Sequence, residues 1–309
     1  MGALIAIVGP TAVGKSSLAL SLAQSFNAEI VSSDSCQVYR YMDIGTAKPT
    51  REERAVVPHH LIDIVDPDDP FDLATYQKLA YSAINGIHGR GKPAILVGGS
   101  GLYVRAILSG YSIPDAPPDY ELRARLQEKA KADGIDSIYD ELKSIDAEAA
   151  DKIDPRNVRR VIRAIEVYRT TGQPYSQTAK AVPPEYDMMT IGLNADRDQL
   201  YRRIDARVDS MMEAGLLDEV KKLTDRGYSL NLASMSSLGY KQIGQYLSGQ
   251  TTLSEAVDKI KYETHRFARH QYSWFRLSDT GVKWFDISET VKDSTRDLVQ
   301  RFLSQADLS

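Results

Sequence analysis

The first sixteen residues constrain the fold more than any other part of the chain. An apolar run, ALIAIV at residues 3–8, passes directly into a glycine-rich turn, GPTAVGKS at residues 9–16. Behind the turn, Leu18, Leu22 and Ala23 recur on a helical period. The turn has the spacing G-x-x-x-x-G-K-S. This spacing binds phosphate when a buried strand precedes it and a helix follows it. We interpret residues 9–16 as a P-loop rather than a chance glycine-rich turn.

A P-loop holds a polyphosphate on backbone N–H groups and on the positive end of the following helix. Lys15 adds a positive charge, and the hydroxyl of Ser16 is a candidate ligand for Mg²⁺. The predicted phosphate-binding residues are Gly9, Pro10, Thr11, Ala12, Val13, Gly14, Lys15 and Ser16. The motif alone leaves open whether the phosphate belongs to a nucleoside triphosphate, so ATP binding is one expectation.

Further strands are predicted at residues 28–35, 93–101 and 186–196, with a helix over 72–88 and a last extended piece, VKWFDI, near the carboxyl end. Strands that alternate with helices predict an α/β fold, a P-loop NTPase-like parallel sheet flanked by helices. Ligands of such sheets bind at the carboxyl ends of the strands. The segments GPTAVGKS, DSCQ and GGSG all fall there, which predicts one site built from three loops.

The composition changes near residue 113, where SIPDAPPDYE is rich in proline and acid. The pattern after it is helical, with no strand before residue 186. We therefore predict an α-helical insertion domain at 114–186 within a P-loop catalytic core at 1–113 and 187–309, whose carboxyl-terminal part is helical.

Composition narrows the class of protein. The chain has 309 residues, 42% of them apolar, and a single cysteine, which excludes a disulfide framework. No basic-then-apolar leader is visible, and the apolar stretches are shorter than the roughly 20 residues of a membrane span. We expect a cytoplasmic protein without a membrane role. The net charge of −4 argues mildly against nucleic acid.

The second carboxylate of a hydrolysing P-loop enzyme is hard to find. The strand AILV ends in Gly98 and Gly99 instead of an aspartate, which weakens the nucleoside triphosphate hypothesis. Asp34 is the one carboxylate at a predicted strand end beside the P-loop. Its type and position suit a proton acceptor or a turn cap equally. Gln37 suits either the edge of a base or a solvated loop.

Arginines are concentrated in DPRNVRRVIRAIEVYRTTG, residues 154–172. Arg156, Arg159, Arg160 and Arg163 are predicted on one helical face, and Val161 and Ile162 belong to the opposite, apolar face. A solvated face normally mixes charge signs, and no acid lies among these arginines. The pattern favours contact with a nucleic-acid backbone over a simple solvated surface.

Three segments together, GPTAVGKS, DSCQVYRYMDIGTAKP and GGSGLYVRAI, resemble those of the tRNA dimethylallyltransferase family, also called tRNA isopentenyltransferases. Further matches, among them RRVIRAIEVYRTTG, SLGYKQIGQYL and THRFARHQYSWFR, extend the resemblance over nearly the whole chain. It implies an enzyme that transfers a dimethylallyl group from dimethylallyl diphosphate to N6 of adenosine 37 beside the tRNA anticodon, with Mg²⁺. The expected partner is the anticodon arm, and a monomer is expected.

The resemblance also implies roles for individual residues. Asp34 is implied as general base, Thr11 as a hydroxyl beside the departing diphosphate, and Arg207 as a second cation on it. The implied tRNA contacts are Asp34, Ser35, Cys36, Gln37, Ser100, Arg159, Arg160, Val161, Ile162 and Arg163. Ser100 and His270 depart from the commoner family residues. Cys36 is interpreted as a buried small side chain, and His59 and His60 as structural residues.

Three alternatives stay open. A prenyltransferase acting on free AMP or ATP, the cytokinin-forming reaction, needs the P-loop and Asp34 but not the arginine-rich helix. A P-loop small-molecule kinase is the second alternative, and a nucleic-acid-binding module without catalysis is the third.

Overall fold

The computed structural model describes residues 2–178 and 181–306. Its strands are β1 (Ala3–Val8), β2 (Glu29–Ser32), β3 (His59–His60), β4 (Ala94–Val97), β5 (Asp187–Asn194) and β6 (Val282–Asp286). Its helices are α1 (Lys15–Phe26), α2 (Arg51–Val56), α3 (Leu73–His88), α4 (Gly101–Leu108), α5 (Tyr120–Ala132), α6 (Ile135–Ile145), α7 (Ala147–Lys152), α8 (Val158–Thr171), α9 (Tyr175–Thr178), α10 (Arg197–Glu213), α11 (Leu216–Asp225), α12 (Tyr240–Leu247), α13 (Leu253–Gln271) and α14 (Val291–Ala306).

Strand β1 lies inside one six-stranded sheet of order β3-β2-β4-β1-β5-β6, in which every neighbouring pair is parallel. Ile5 and Ile7 pack into a core with α1, α10 and α14, while Leu4 and Val8 pack into a second core with α3 and α4. Helices therefore cover both faces, which is why β1 is apolar throughout. The predicted α/β, P-loop NTPase-like fold class is confirmed.

The strands are shorter than predicted at their carboxyl ends. The segments predicted as strands at 28–35 and 93–101 contain β2 and β4 of four residues each, because Ser33–Ser35 and Gly98–Ser100 leave the sheet to form loops. Strand β3 and helix α14 were not predicted. Two residues are too few to show a strand period, and α14 buries only Thr295 and Val299.

The chain divides into two compact units, one of Met1–Leu108 with Glu185–Ser309 and one of Ser109–Pro184. The predicted boundaries lay at 113/114 and 186/187. The second unit contains α5 to α9, and its core includes Leu126, Ile138, Leu142, Val161 and Ile165. Within the part of the chain that the structure describes, no helix is long and apolar enough to cross a membrane.

Candidate active site

The P-loop connects β1 to α1 through a backbone that few residue types tolerate. Gly9 has φ of 138°, and a Cβ there would lie 2.3 Å from the carbonyl oxygen of Leu193. Ala12 and Gly14 also have positive φ, 61° and 107°. The N–H groups of residues 12–16 donate to no acceptor among the described residues. They form a concave set of donors at the helix N-terminus, which is an anion-binding arrangement.

Lys15 lies beneath this loop and is 8% exposed. Its Nζ donates to the carbonyl oxygens of Gly9 and Pro10 at 2.9 and 2.7 Å. Burial, and then the positive charge of Arg207, lower the pKa of Lys15 to about 7, and the charge of Asp34 opposes both. A polyanion in the loop would supply the negative charge that favours the protonated amine.

Two arginines of α10 flank the loop. Arg203 donates from Nε to the carbonyl oxygen of Ala12 at 2.9 Å. Arg207 faces the same cleft, and within the described residues its guanidinium has no hydrogen-bond or ion-pair partner. Burial lowers the pKa of Arg207, against the influence of Asp34. An unpartnered cation in a cleft beside unpartnered N–H groups is suited to a phosphate-bearing ligand.

Asp34 lies in the loop after β2 and caps its turn. Oδ1 accepts from the N–H of Cys36 at 2.9 Å and more weakly from that of Gln37 at 3.4 Å. Oδ2 accepts no hydrogen bond from residues 2–178 or 181–306. The two interpretations of Asp34, turn cap and proton acceptor, are thus compatible, since one oxygen serves the turn and leaves the other available.

Gln37 is neither a solvated loop residue nor a free reader of bases. Its Oε1 accepts from the hydroxyl of Ser32 at 3.0 Å, and its Nε2 donates to the carbonyl oxygens of Thr46 and Ala47, each at 3.3 Å. The side chain ties loop 46–47 to the end of β2. Both Gln37 and Thr46 nevertheless line the cleft.

Ser100 and Cys36 support the Asp34 loop from its two sides. The hydroxyl of Ser100 accepts from the N–H of Ser35 at 3.0 Å and donates to the Ser35 hydroxyl. Cys36 lies 3.1 Å from the hydroxyl of Ser237 (Sγ to Oγ). Burial, and then the charge of Asp34, raise the pKa of its thiol to about 11, so the thiol stays protonated and is not a nucleophile.

Two cavities meet at these residues. The first, about 500 Å³, is lined by the P-loop residues Thr11, Ala12, Gly14, Lys15 and Ser16, with Asp34, Gln37, Arg207 and Gln271. The second, about 330 Å³, has a mainly apolar surface, to which Val208, Met211, Leu238, Ile260 and Phe267 contribute, although serine and threonine hydroxyls also line it. Thr11, Asp34 and Arg207 line both. The cavity lined by the P-loop and the mainly apolar second cavity, here called the apolar chamber, therefore share one wall.

Sequence reasoning missed the supporting residues of the site. Gln271 accepts from the N–H of Thr11 at 2.7 Å and donates to the carbonyl oxygen of Gly99 at 2.8 Å. Glu219 accepts from the N–H groups of Asp43, Ile44 and Gly45. Gln271 lies inside the FARHQ segment, but a buried amide at a helix end has no period to mark it.

The donor set fits a metal held mainly by the substrate. The described residues contain no group of three or more His, Cys, Asp or Glu side chains that could hold a metal ion. His60 contacts buried Glu29, with Nε2 2.8 Å from Oε2, and His59 Nδ1 lies 2.7 Å from the Val57 carbonyl oxygen. The Ser16 hydroxyl has no partner in the described residues and lines the first cavity.

The predicted arginine face of α8 needs correction. The helix begins at Val158, so Arg156 precedes it and pairs with Asp154 at 2.7 Å. Arg163 is paired too, at 2.6 Å with the buried carboxylate of Glu166. Val161 and Ile162 are 0% and 3% exposed in the core of this unit, so their side chains cannot contact RNA. Only Arg159 and Arg160 of the face are exposed without an acidic partner in the described residues.

The fold and the site define an α/β protein of the P-loop class whose phosphate cleft opens beside a carboxylate and an apolar chamber. Comparison with known proteins gives the family. The family model for IPP transferase matches residues 37–278, and that for isopentenyl transferase matches residues 2–64. The chain belongs to the IPP transferase family. The predictions of this family and of a prenyltransferase enzyme are confirmed.

Proteins similar in sequence and proteins similar in structure both belong to this family. The chain is 56% identical to the tRNA dimethylallyltransferase of Roseiflexus castenholzii (88% of this chain, 89% of the relative) and 46% identical to that of Carboxydothermus hydrogenoformans (99% and 98%). The tRNA isopentenylpyrophosphate transferase structure from Bacillus halodurans is similar with TM-score 0.74 and 43% identity (99% and 98%). The structure of a eukaryotic dimethylallyltransferase acting on tRNA is similar with TM-score 0.82 and 28% identity, covering 99% of this chain and 80% of the other.

Proposed function

We propose that this protein transfers a dimethylallyl group from dimethylallyl diphosphate to N6 of adenosine 37 in the anticodon arm of tRNA. The observation that carries the proposal is the wall shared by the two cavities. Thr11 and Arg207 lie where a diphosphate in the P-loop would end, and Asp34 faces the apolar chamber as well. The tRNA dimethylallyltransferases among the relatives support the acceptor.

The reaction breaks the allylic carbon–oxygen bond and forms a carbon–nitrogen bond to N6. The departing diphosphate gains negative charge, which the N–H groups of residues 12–16, Lys15 and Arg207 stabilise. The exocyclic amine is a poor nucleophile, and Oδ2 of Asp34 accepts its proton. Mg²⁺, held by the Ser16 hydroxyl, the phosphates and water, would neutralise further charge on the leaving group.

Adenine in a stacked anticodon loop must leave its stack to reach Asp34. The second cavity, which Ser35, Cys36 and Ser100 help to line, has a volume of about 330 Å³ and is large enough to hold the base. Arg159 and Arg160 are proposed to contact the phosphate backbone. We further propose that the protein acts in the cytoplasm as a monomer.

The test follows the label from tritiated dimethylallyl diphosphate, with tRNA in one reaction and AMP in another. Label in tRNA is the expected result, and label only in AMP would reassign the enzyme to free nucleotides. A third reaction uses ATP labelled in its γ-phosphate, and transfer of that label to a small molecule would identify a kinase. These outcomes separate the candidate activities directly.

Asp34→Asn is the sharpest variant for the proton transfer. The amide oxygen can still accept from the Cys36 N–H, so the turn is kept, while the basic Oδ2 is lost. We expect single-turnover prenyl transfer to fall about 10²- to 10⁴-fold, the range for a general base, with tRNA binding unchanged. Asp72→Asn is the matched control, because the Asp72 carboxylate likewise accepts from a backbone N–H, that of Thr75, but lines neither cavity. Near-normal turnover in Asp34→Asn would remove Asp34 from this role.

A further inference from the structure

Gln271 is a buried polar side chain that the mechanism above does not use. It is the last residue of α13 and is 6% exposed. Its carboxamide makes two hydrogen bonds to backbone, accepting from the N–H of Thr11 at 2.7 Å and donating to the carbonyl oxygen of Gly99 at 2.8 Å. These partners lie 260 and 172 positions away in the chain. Buried amides are costly unless satisfied, so both bonds constrain the loops they reach.

The first bond fixes the start of the P-loop. Pro10 has no N–H, so Thr11 carries the first free donor after Gly9. By occupying that donor, Gln271 holds Thr11 against the end of α13 and leaves the N–H groups of residues 12–16 to face the cleft. The position of the Thr11 hydroxyl, which lines both cavities, depends on this backbone.

The second bond fixes the turn that carries the Asp34 loop. Gly98 packs so closely on Ser33 that an added Cβ would lie 2.2 Å from the Ser33 carbonyl oxygen. The Ser100 N–H donates to the same carbonyl oxygen at 3.2 Å, and the Ser100 hydroxyl holds Ser35. A shift of Gly99 would therefore carry residues 33–35 with it, including Asp34.

We propose that Gln271 is a positioning residue for prenyl transfer, one that sets the phosphate cradle and the general base at a fixed separation. The inference rests on the proposed function. A carboxamide is suited to the task because one side chain both accepts and donates. Misplacement by about 1 Å costs roughly 10²-fold in rate when reacting groups must be aligned.

The test compares Gln271→Ala with Tyr272→Phe. Tyr272 also anchors this end of α13, through a 2.7 Å hydrogen bond from its hydroxyl to Asn194, but it lines neither cavity. In single turnover at saturating substrates, we expect Gln271→Ala to be slower by about 10- to 100-fold. Tyr272→Phe should stay within about threefold of the wild type, and inorganic diphosphate should bind Gln271→Ala nearly as well as wild type. Equal single-turnover rates in the two variants would overturn the proposal.

A second variant keeps the test decisive if the alanine variant folds poorly. Gln271→Glu retains an acceptor for Thr11, but its ionised carboxylate cannot donate to Gly99. Protonation restores that donor, and burial raises the pKa of a carboxyl above its ordinary value of about 4.3. The ratio of wild-type to variant rate should therefore shrink as the pH is lowered from 7 to 5. A ratio independent of pH would contradict the assigned hydrogen bond.

A third measurement does not depend on transferase activity. Amide hydrogen exchange over residues 9–14 should be faster in Gln271→Ala than in Tyr272→Phe, because the Thr11 N–H loses its acceptor. If the wild type modified no tRNA, the proposed function would fail while this exchange difference still reported on the Gln271 contact. Unchanged exchange would show that Gln271 does not hold the loop.

Discussion

We predict that diphosphate binding is coupled to proton uptake by Lys15. Burial and the neighbouring Arg207 lower the pKa of its amine to about 7. At pH 8 only about a tenth of the protein then carries a charged Lys15, whereas the bound polyanion favours full protonation. We expect binding to take up about 0.9 proton at pH 8 and about 0.1 at pH 6 through this residue. The required proton weakens binding about tenfold at pH 8, or about 1.4 kcal/mol.

The assay is isothermal titration of inorganic diphosphate in buffers of different ionisation enthalpy, which gives the protons exchanged per binding event. Diphosphate has its own proton equilibrium, so the quantity of interest is the difference between the wild type and Lys15→Arg, whose guanidinium stays charged. A folded Lys15→Arg protein with the same proton uptake as the wild type at pH 8 would refute the reasoning.

Two further predictions concern charged side chains. The double variant Arg159→Ala, Arg160→Ala should weaken tRNA binding and reduce its salt dependence without changing the melting temperature. Arg163→Ala should instead cost about 1–3 kcal/mol of stability, because Glu166 is left buried with one fewer partner. Equal melting temperatures in the two proteins would contradict the assignment of Arg163 to stability and of Arg159 and Arg160 to tRNA binding. The pKa of Glu29 is lowered to about 2, chiefly by its hydrogen bond from Arg90. Its folded pKa lies below the unfolded value, so its stabilisation, about 3 kcal/mol, is present above pH 4.5 and is lost as the pH falls toward 2. In Glu29→Gln the urea midpoint should therefore depend less on pH between pH 5 and 3, and an unchanged pH dependence would exclude Glu29 as its source.

Much of the fold could be predicted because local patterns and the sheet agree. The apolar run of β1 indicates a strand covered on both faces, and the P-loop glycines provide the positive φ of the turn. The sequence of residues 3–16 therefore predicts both the strand and the turn. Helix α14 could not be predicted in the same way, since only Thr295 and Val299 of its sixteen residues are buried. Its position depends on an apolar surface assembled from distant segments.

In the site, too, some side chains could be predicted from local sequence and others depend on the tertiary structure. The residues that face the cavities, such as Asp34 and Lys15, belong to contiguous motifs and could be predicted from them. The arginine face of α8 could not be assessed from helical spacing, because spacing does not show that Glu166 lies under Arg163. Gln271 acts on Thr11 across 260 positions, a relation that only the tertiary structure contains.

The absence of a carboxylate at the end of β4 has a steric cause. Strand β4 lies next to β1 in the sheet, where a hydrolysing P-loop enzyme usually carries its second aspartate. Here β4 ends at Val97 and Gly98 follows it, and the Ser33 carbonyl oxygen lies 2.2 Å from where a side chain on Gly98 would begin. The loop that places Asp34 therefore fills the space that a metal-binding aspartate would need. Because the carboxylate comes from the loop after the next strand, β2, it lines the apolar chamber as well as the P-loop cavity. This position supports its proposed role as acceptor of the amine proton rather than a role in positioning water for hydrolysis.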